Sequence, residues 1–182
     1  MSLELVYWPH PVLRARAATL VPADFNDELA RTFEAMVRVM HDHRGMGLAG
    51  PQVAIGKRFL ICSPSADKGD EVFIANPRVV EREGELFEEE GCLSFPGIYG
   101  KVHRARVVVV EAQDVTGTPV VIEAEDTYSR CLQHEIDHLD GMLFTRKMSP
   151  GARIQARRKL RELENRWGPV YGVSTSPAAV EG

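Results

Sequence analysis

The sequence predicts an α+β chain, and three observations carry that prediction. Apolar residues recur at helical spacing in an early, a central and a late segment. Short apolar pieces of strand length, separated by polar turns, fill the interval between the first two helices. The central helix has two working faces, an apolar stripe and a histidine face, so it has to sit inside the molecule. A chain of 182 residues suits a single domain, taken as residues 1–168, with a flexible tail at 169–182 that is rich in Gly, Ser, Pro and Ala.

The N-terminal helix runs to about Asp42, capped by Asp24 or Asn26, with Leu29, Phe33, Met36, Val37 and Met40 on its apolar side. Gly45-Met46-Gly47-Leu48-Ala49-Gly50-Pro51-Gln52 ends it as a loop whose backbone can approach another group closely. Arg58–Ser63 and Glu71–Ala75 read as short strands with a polar turn at Asp67–Asp70. Glu81–Glu90, with six glutamates, reads as a solvated connection or edge. Arg106–Ala112 and Pro119–Ala124 flank a hairpin turn at Asp114–Thr118. Asp126 or Thr127 is the expected N-cap of the central helix, and Gly141 its expected C′ residue. Tyr128, Leu132, Ile136 and Leu139 form its apolar stripe, and Cys131, His134 and His138 lie on another face. The C-terminal helix, Pro150–Trp167, buries Ala156, Leu160, Leu163 and Trp167 and carries Arg153, Arg157, Arg158, Lys159, Arg161 and Arg166.

The chemistry is concentrated in Gln133-His134-Glu135-Ile136-Asp137-His138. Histidines four apart stand one above the other on a helix, so both rings can reach one ion. Glu135, about 100° round the helix, stands beside the ion and is free to move a proton. A catalytic zinc-like site needs a third protein ligand. A metalloprotease pattern with a further histidine fails, because that position holds Phe144. Glu162 or Glu164 on the next helix stays open, although glutamates among arginines suit surface pairing. Cys92, in the turn Glu89-Glu90-Gly91-Cys92-Leu93-Ser94, is the preferred ligand, since a thiolate binds zinc or iron(II) strongly. Cys62 reads as core and Cys131 as part of a pocket wall.

The net charge of −4 argues against bulk nucleic-acid binding. No run of 18 apolar residues is present, so no membrane span is expected. The opening residues lack a basic stretch followed by an apolar core, which argues against a secretory signal. With three cysteines unable to pair completely, a reduced cytoplasmic setting is expected, and monomer is the default.

Three segments in order, Gly45–Gln52, Glu90–Ser94 and Gln133–His138, resemble the three motifs of the peptide deformylases, G-x-G-x-A-A-x-Q, E-G-C-x-S and Q-H-E-x-x-H. Tyr7–Arg14 looks like the family's N-terminal proline-containing strand, and the likeness covers roughly residues 5–148. Gly50 departs from the family's second alanine. Leu93 and Phe95-Pro96-Gly97 look like the bacterial and plastid-type branch. The resemblance supports antiparallel sheets enclosing a central metal-binding helix. It implies a metal-dependent amidohydrolase that removes formyl from the N-formylmethionine of nascent polypeptides and releases formate. One divalent ion is implied, iron(II) by family expectation, with zinc, nickel or cobalt compatible, held by Cys92, His134 and His138. Glu135 then carries the proton, and the Gln52 amide and the Leu93 backbone N–H receive the oxyanion. Met46, Leu48, Tyr99, Arg130, Cys131 and the His134 ring are the pocket-wall candidates. The backbone of Gly47 and of Phe95–Tyr99 is placed to pair with substrate. Gln133, just before the first ligand, is a candidate for orienting backbone or the ligands.

Other readings give different expectations. A peptidase using Glu162 or Glu164 would cleave unformylated peptides. A non-catalytic module recognising formylated termini goes with degenerate residues, yet Glu135 and Gln52 are both present. The basic C-terminal helix suits either a solvated cover for the core or docking on ribosomal RNA.

Overall fold

A computed structural model describes residues 2–65 and 67–173. The elements are α1 (Asp27–Asp42), β1 (Gly47–Ala49), β2 (Phe59–Cys62), β3 (Val72–Glu83), β4 (Leu86–Gly91), β5 (Tyr99–Arg104), β6 (Val107–Gln113), β7 (Pro119–Glu125), α2 (Asp126–Leu139), α3 (Phe144–Lys147) and α4 (Pro150–Trp167), with 3-10 turns at Pro11–Arg14, Pro22–Asp24 and Gly50–Val53. This is the α+β arrangement expected. Five strands form one antiparallel sheet in the order β1-β2-β3-β6-β7, and β4 and β5 form a separate antiparallel ribbon.

Local chemistry explains most boundaries. Asn26 caps α1, its Oδ1 accepting from the N–H groups of Glu28 (2.9 Å) and Leu29 (3.2 Å). Asp114 closes the β6–β7 hairpin by accepting from the N–H groups of Thr116 and Thr118 at 2.8 and 3.0 Å. At the end of α2, Gly141 has φ +68°, and a Cβ there would stand 2.6 Å from the Arg14 carbonyl oxygen. Both the conformation and the space require glycine.

Three apolar clusters place the helices. Leu29, Met36 and Met40 of α1 pack with Leu48, Phe59, Ile61 and Phe73 on one face of the sheet. Leu132, Ile136 and Leu139 of α2 pack with Leu60, Ile74, Val108 and Val110 on the opposite face. Each of those three α2 side chains contributes about 1.5–3 kcal/mol by burial. A third cluster joins Trp8, Leu13, Phe95, Val102, Phe144 and Leu163, so the ribbon, α3 and α4 close over the other side of α2. The helix is thus central, as its two faces predicted.

Several details differ from the sequence reading. The strand expected near Tyr7–Arg14 is irregular and then forms the 3-10 turn; its Val6 and Trp8 N–H groups still bond the Gln52 and Ser94 carbonyls at 2.9 and 3.0 Å. The strand expected to end at Ala75 continues to Glu83, through register shifts after Ala75 and Val79. Of the two readings of the glutamate-rich segment, solvated connection or edge, the second holds: it supplies the exposed end of β3 and nearly all of β4, a strand of the two-stranded ribbon. Of the segment 169–182, residues 169–173 are described, with the Tyr171 hydroxyl accepting from the Tyr7 N–H at 3.1 Å. Residues 174–182 lie outside the described residues.

Candidate metal centre and substrate cleft

The ribbon and α2 bring three soft or borderline donors together. One donor atom each from Cys92, His134 and His138 lies within 4.8 Å of the others, and Cys92 Sγ is 3.2 Å from His138 Nε2. A tetrahedral ion with Zn–S and Zn–N bonds of ordinary length separates its ligand atoms by about 3.5 Å, so the donor set fits a divalent ion. His138 and His134 are buried, and Cys92 is half-buried at the mouth of the turn after β4.

The ring orientation of His134 is set from behind. Its Nδ1 lies 3.0 Å from Glu90 Oε2, which leaves Nε2 for an ion. Glu90 is held in turn by a two-point Arg104 contact, Nε to Oε1 at 2.8 Å and Nη2 to Oε2 at 2.9 Å. Arg104 also donates to Asp137 at 2.6 Å, and Lys147 donates to the other Asp137 oxygen at 2.7 Å. Burial pushes the Glu90 carboxyl up, but Arg104 and His134 outweigh it and hold the group at about 2. Burial, then the neighbouring His134 and Arg104 charges, push His138 well below its ordinary value, which keeps the ring a neutral donor. Burial also opposes the His134 proton, but hydrogen bonds to Cys92 and Glu90 override it and raise the group; an ion at Nε2 competes with that proton.

Glu135 is 4% exposed, lines the cleft, and has an Oε2 with no hydrogen-bond partner among the described residues. Burial lifts its carboxyl to about 7, with the Glu90 and Asp137 charges adding to the rise and His134 and Arg104 opposing it. Gln52 is fully buried. Its Oε1 accepts from the Ala49 N–H at 2.8 Å, which turns its Nε2 toward Cys92 Sγ (3.6 Å) and Ser94 Oγ (3.5 Å).

Gln52, Cys92, His134 and Glu135 line a cleft of about 600 Å³ together with Leu93, Met46, Gly47, Tyr99, Arg130 and Cys131. Tyr99 is 62% exposed on the rim, its ring lying over Gly91, where a Cβ would stand 2.6 Å away. Arg130 is committed to Glu88 and the Glu89 carbonyl. Leu48 is not a wall residue: along β1 side chains alternate, so Leu48 points into the α1 cluster while Ala49 joins the α2 cluster. Gln133 takes the first of the two roles expected of it, orienting backbone: it clamps both backbone groups of Ala105 at 3.1 and 2.9 Å. The alternative ligands are occupied elsewhere, Glu162 with Arg158 and Glu164 with the Trp8 indole N–H.

Comparison with known proteins agrees with this geometry. The family described as polypeptide deformylase matches residues 2–153. The chain belongs to the polypeptide deformylase family. It is 39% identical over 166 residues to a peptide deformylase of Acidobacterium capsulatum, covering 90% of this chain and 96% of that one. A crystal structure of a peptide deformylase from Legionella pneumophila superimposes with a TM-score of 0.84 at 39% identity, covering 92% of this chain and 98% of the other. A variant of peptide deformylase 1B from Arabidopsis thaliana gives 0.90 at 34% identity, covering 98% of both. As a deformylase the chain is a hydrolase that removes the formyl group from the N-formylmethionine of nascent peptides, and the family is metal-dependent. No helix among the described residues is long and apolar enough to cross a membrane.

Sequence reasoning missed Glu90, Arg104 and Asp137 as a unit. Glu90 and Asp137 stand inside the deformylase motifs, so a signal existed; nothing in the sequence around Arg104 distinguishes it from the surface arginines.

Proposed function

We propose that Cys92, His134 and His138 hold a single divalent ion, that Glu135 moves the proton of the reaction, and that Gln52 and the Leu93 backbone N–H stabilise the oxyanion. The observation that carries this reading is the buried Glu135 carboxyl on the wall of the cleft that Cys92 and His134 also line, its Oε2 without a partner among the described residues and its pKa raised by burial to about 7. An ion bound there supplies Lewis acidity, lowering the pKa of a water and polarising the formyl oxygen. Glu135 Oε2 takes the water's proton and returns it to the leaving amine. The Gln52 carbonyl is pinned by Ala49, so its NH2 needs no reorientation as charge develops. Met46, Tyr99, Arg130 and Cys131 form the wall for the methionine side chain. β1 is the edge strand of its sheet, so Gly47 can pair with the peptide backbone as an added strand, a mode that reads few residues beyond methionine.

Iron(II) is the proposed native ion, with zinc, nickel and cobalt as functional substitutes. The enzyme works as a cytoplasmic monomer, and residues 1–168 are its catalytic domain. The exposed arginines of α4 dock it on ribosomal RNA near emerging chains; Arg153, Arg157 and Arg161 are all exposed, which supports that face.

The deciding experiment measures formate release from formyl-Met-Ala-Ser by anaerobically purified protein, beside Glu135→Gln and a metal analysis. Release by the wild type, with one ion in both proteins and activity down about 100- to 10,000-fold in the variant, is the expected result. Full activity in Glu135→Gln, or in a Cys92→Ala protein that keeps its metal, sinks the assignment. Gln52→Ala is expected to lower kcat about a hundredfold or more with little change in metal content.

A further inference from the structure

Two thiols outside the donor set meet behind the cleft. Cys62 Sγ and Cys131 Sγ lie 3.3 Å apart, and both cysteines are free. Cys62 ends β2 in the buried sheet, and Cys131 lies on the histidine-bearing face of α2. Gly47 makes the contact possible. It pairs with Cys62 across the β1–β2 ladder, and a Cβ on it would stand 2.7 Å from Cys131 Sγ and 2.7 Å from Glu135 Oε1. The missing side chain is the opening through which the α2 thiol reaches the sheet. The two sulfurs also differ in access, since Cys62 is fully buried whereas Cys131 is half-buried and lines the cleft.

We propose that Cys62 and Cys131 form a reversible disulfide site, closed by a hydroperoxide entering the cleft, and that closure switches the enzyme off. The Cys131 sulfur attacks the peroxide, the O–O bond breaks, and the products are a Cys131 sulfenic acid and water, or an alcohol from an organic hydroperoxide. The Cys62 sulfur then attacks the Cys131 sulfur. The S–O bond breaks, and the hydroxyl leaves with the Cys62 proton as a second water. The two thiols lose two electrons and the peroxide gains them. Burial pushes the Cys62 thiol up, so it stays protonated while the accessible Cys131 reacts first. Joining the sulfurs shortens their gap to about 2.05 Å, which draws the α2 face toward the sheet beside Gly47 and Glu135. The effect on turnover rests on the roles proposed above for Cys131 and Glu135.

The test treats the reduced, metal-loaded protein with hydrogen peroxide and follows intact mass, peptide mapping and formate release together. The proposal expects loss of two hydrogens, a Cys62–Cys131 cross-linked peptide, and a fall in kcat/KM of at least about tenfold that dithiothreitol reverses. Cys62→Ala, and Cys62→Val if alanine loosens the core, keep the basal activity and resist the reversible loss. Equal, irreversible inactivation of wild type and both variants without the cross-linked peptide places the damage at Cys92 and overturns the proposal. A cross-linked peptide with unchanged kcat/KM overturns the switch. Failure of the reduced protein to release formate strikes the site reading instead, and the peptide map reports on the disulfide independently of activity.

Discussion

Glu135 and Glu90 are buried carboxylates that both feel the charge of His134, and their environments drive them in opposite directions. Arg104 stabilises Glu90 as an anion, whereas Glu135 Oε2 has no hydrogen-bond partner among the described residues. The consequences for stability therefore have opposite sign. Glu90, depressed to about 2, contributes stability that is present above its ordinary value of 4.5 and is lost as pH falls through about 2. Glu135, raised to about 7, makes the fold favour the protonated acid. Its ionisation costs stability progressively between pH 4.5 and 7, by about 3 kcal/mol when complete. With the ion removed by a chelator, Glu135→Gln is expected to be more stable than wild type at pH 8, by up to that amount. The gap should close below pH 4.5, as followed by guanidinium unfolding at each pH. Equal stability at pH 8 would show that the carboxylate is not strained. The sequence made Glu135 legible because its offset from two histidines has a geometric meaning. It did not make the strain legible, because that depends on Gly47, Cys131 and the sheet closing around the group.

At the scale of elements, the three long helices α1, α2 and α4 and the β6–β7 hairpin were readable because each carries its own instructions: a cap at Asn26, a 3.6-residue period in α1 and α2, an Asp-containing turn at Asp114; the four-residue α3 is too short to carry one. The β4–β5 ribbon was not readable. Its two strands run through glutamates, a lysine and an arginine, and the ion pair between Glu90 and Arg104, four positions apart in the ribbon's register, meets His134 behind it. Arg104→Met leaves Glu90 buried without its main partner and is expected to cost about 3–5 kcal/mol, measured by denaturant unfolding. Glu90→Gln keeps the shape but weakens the hold on His134. Metal affinity should fall about 10- to 100-fold, read by competition with a chromogenic chelator. Two glycines separate folding from function. Gly141→Ala forces a Cβ against the Arg14 carbonyl at positive φ and should lower stability by more than about 1 kcal/mol while the folded fraction keeps its kcat. Gly47→Ala pushes on Glu135 and Cys131, and its loss should appear in kcat/KM.

For the whole molecule, the donors of the proposed centre come from two separately built parts. α2 belongs to the five-stranded sheet, and Cys92 follows the ribbon that packs with α3 and α4. An ion shared between them binds the folded state and not the open one. Its removal should lower the melting temperature, corresponding to about 4 kcal/mol where free metal had stood a thousandfold above its Kd, with return on adding iron(II), nickel or zinc. An unchanged melting temperature would mean that the ion braces nothing. The same architecture governs what α2 can do alone. The helix has no side-chain cap at its start, where Asp126 has φ +51°, and it ends against Arg14. Fourteen residues with no cap are too few to hold a helix in water. A synthetic peptide spanning 126–141 would be a coil, its two imidazoles would point independently, and grafting those six motif letters into another scaffold would transfer the spelling without the metal affinity.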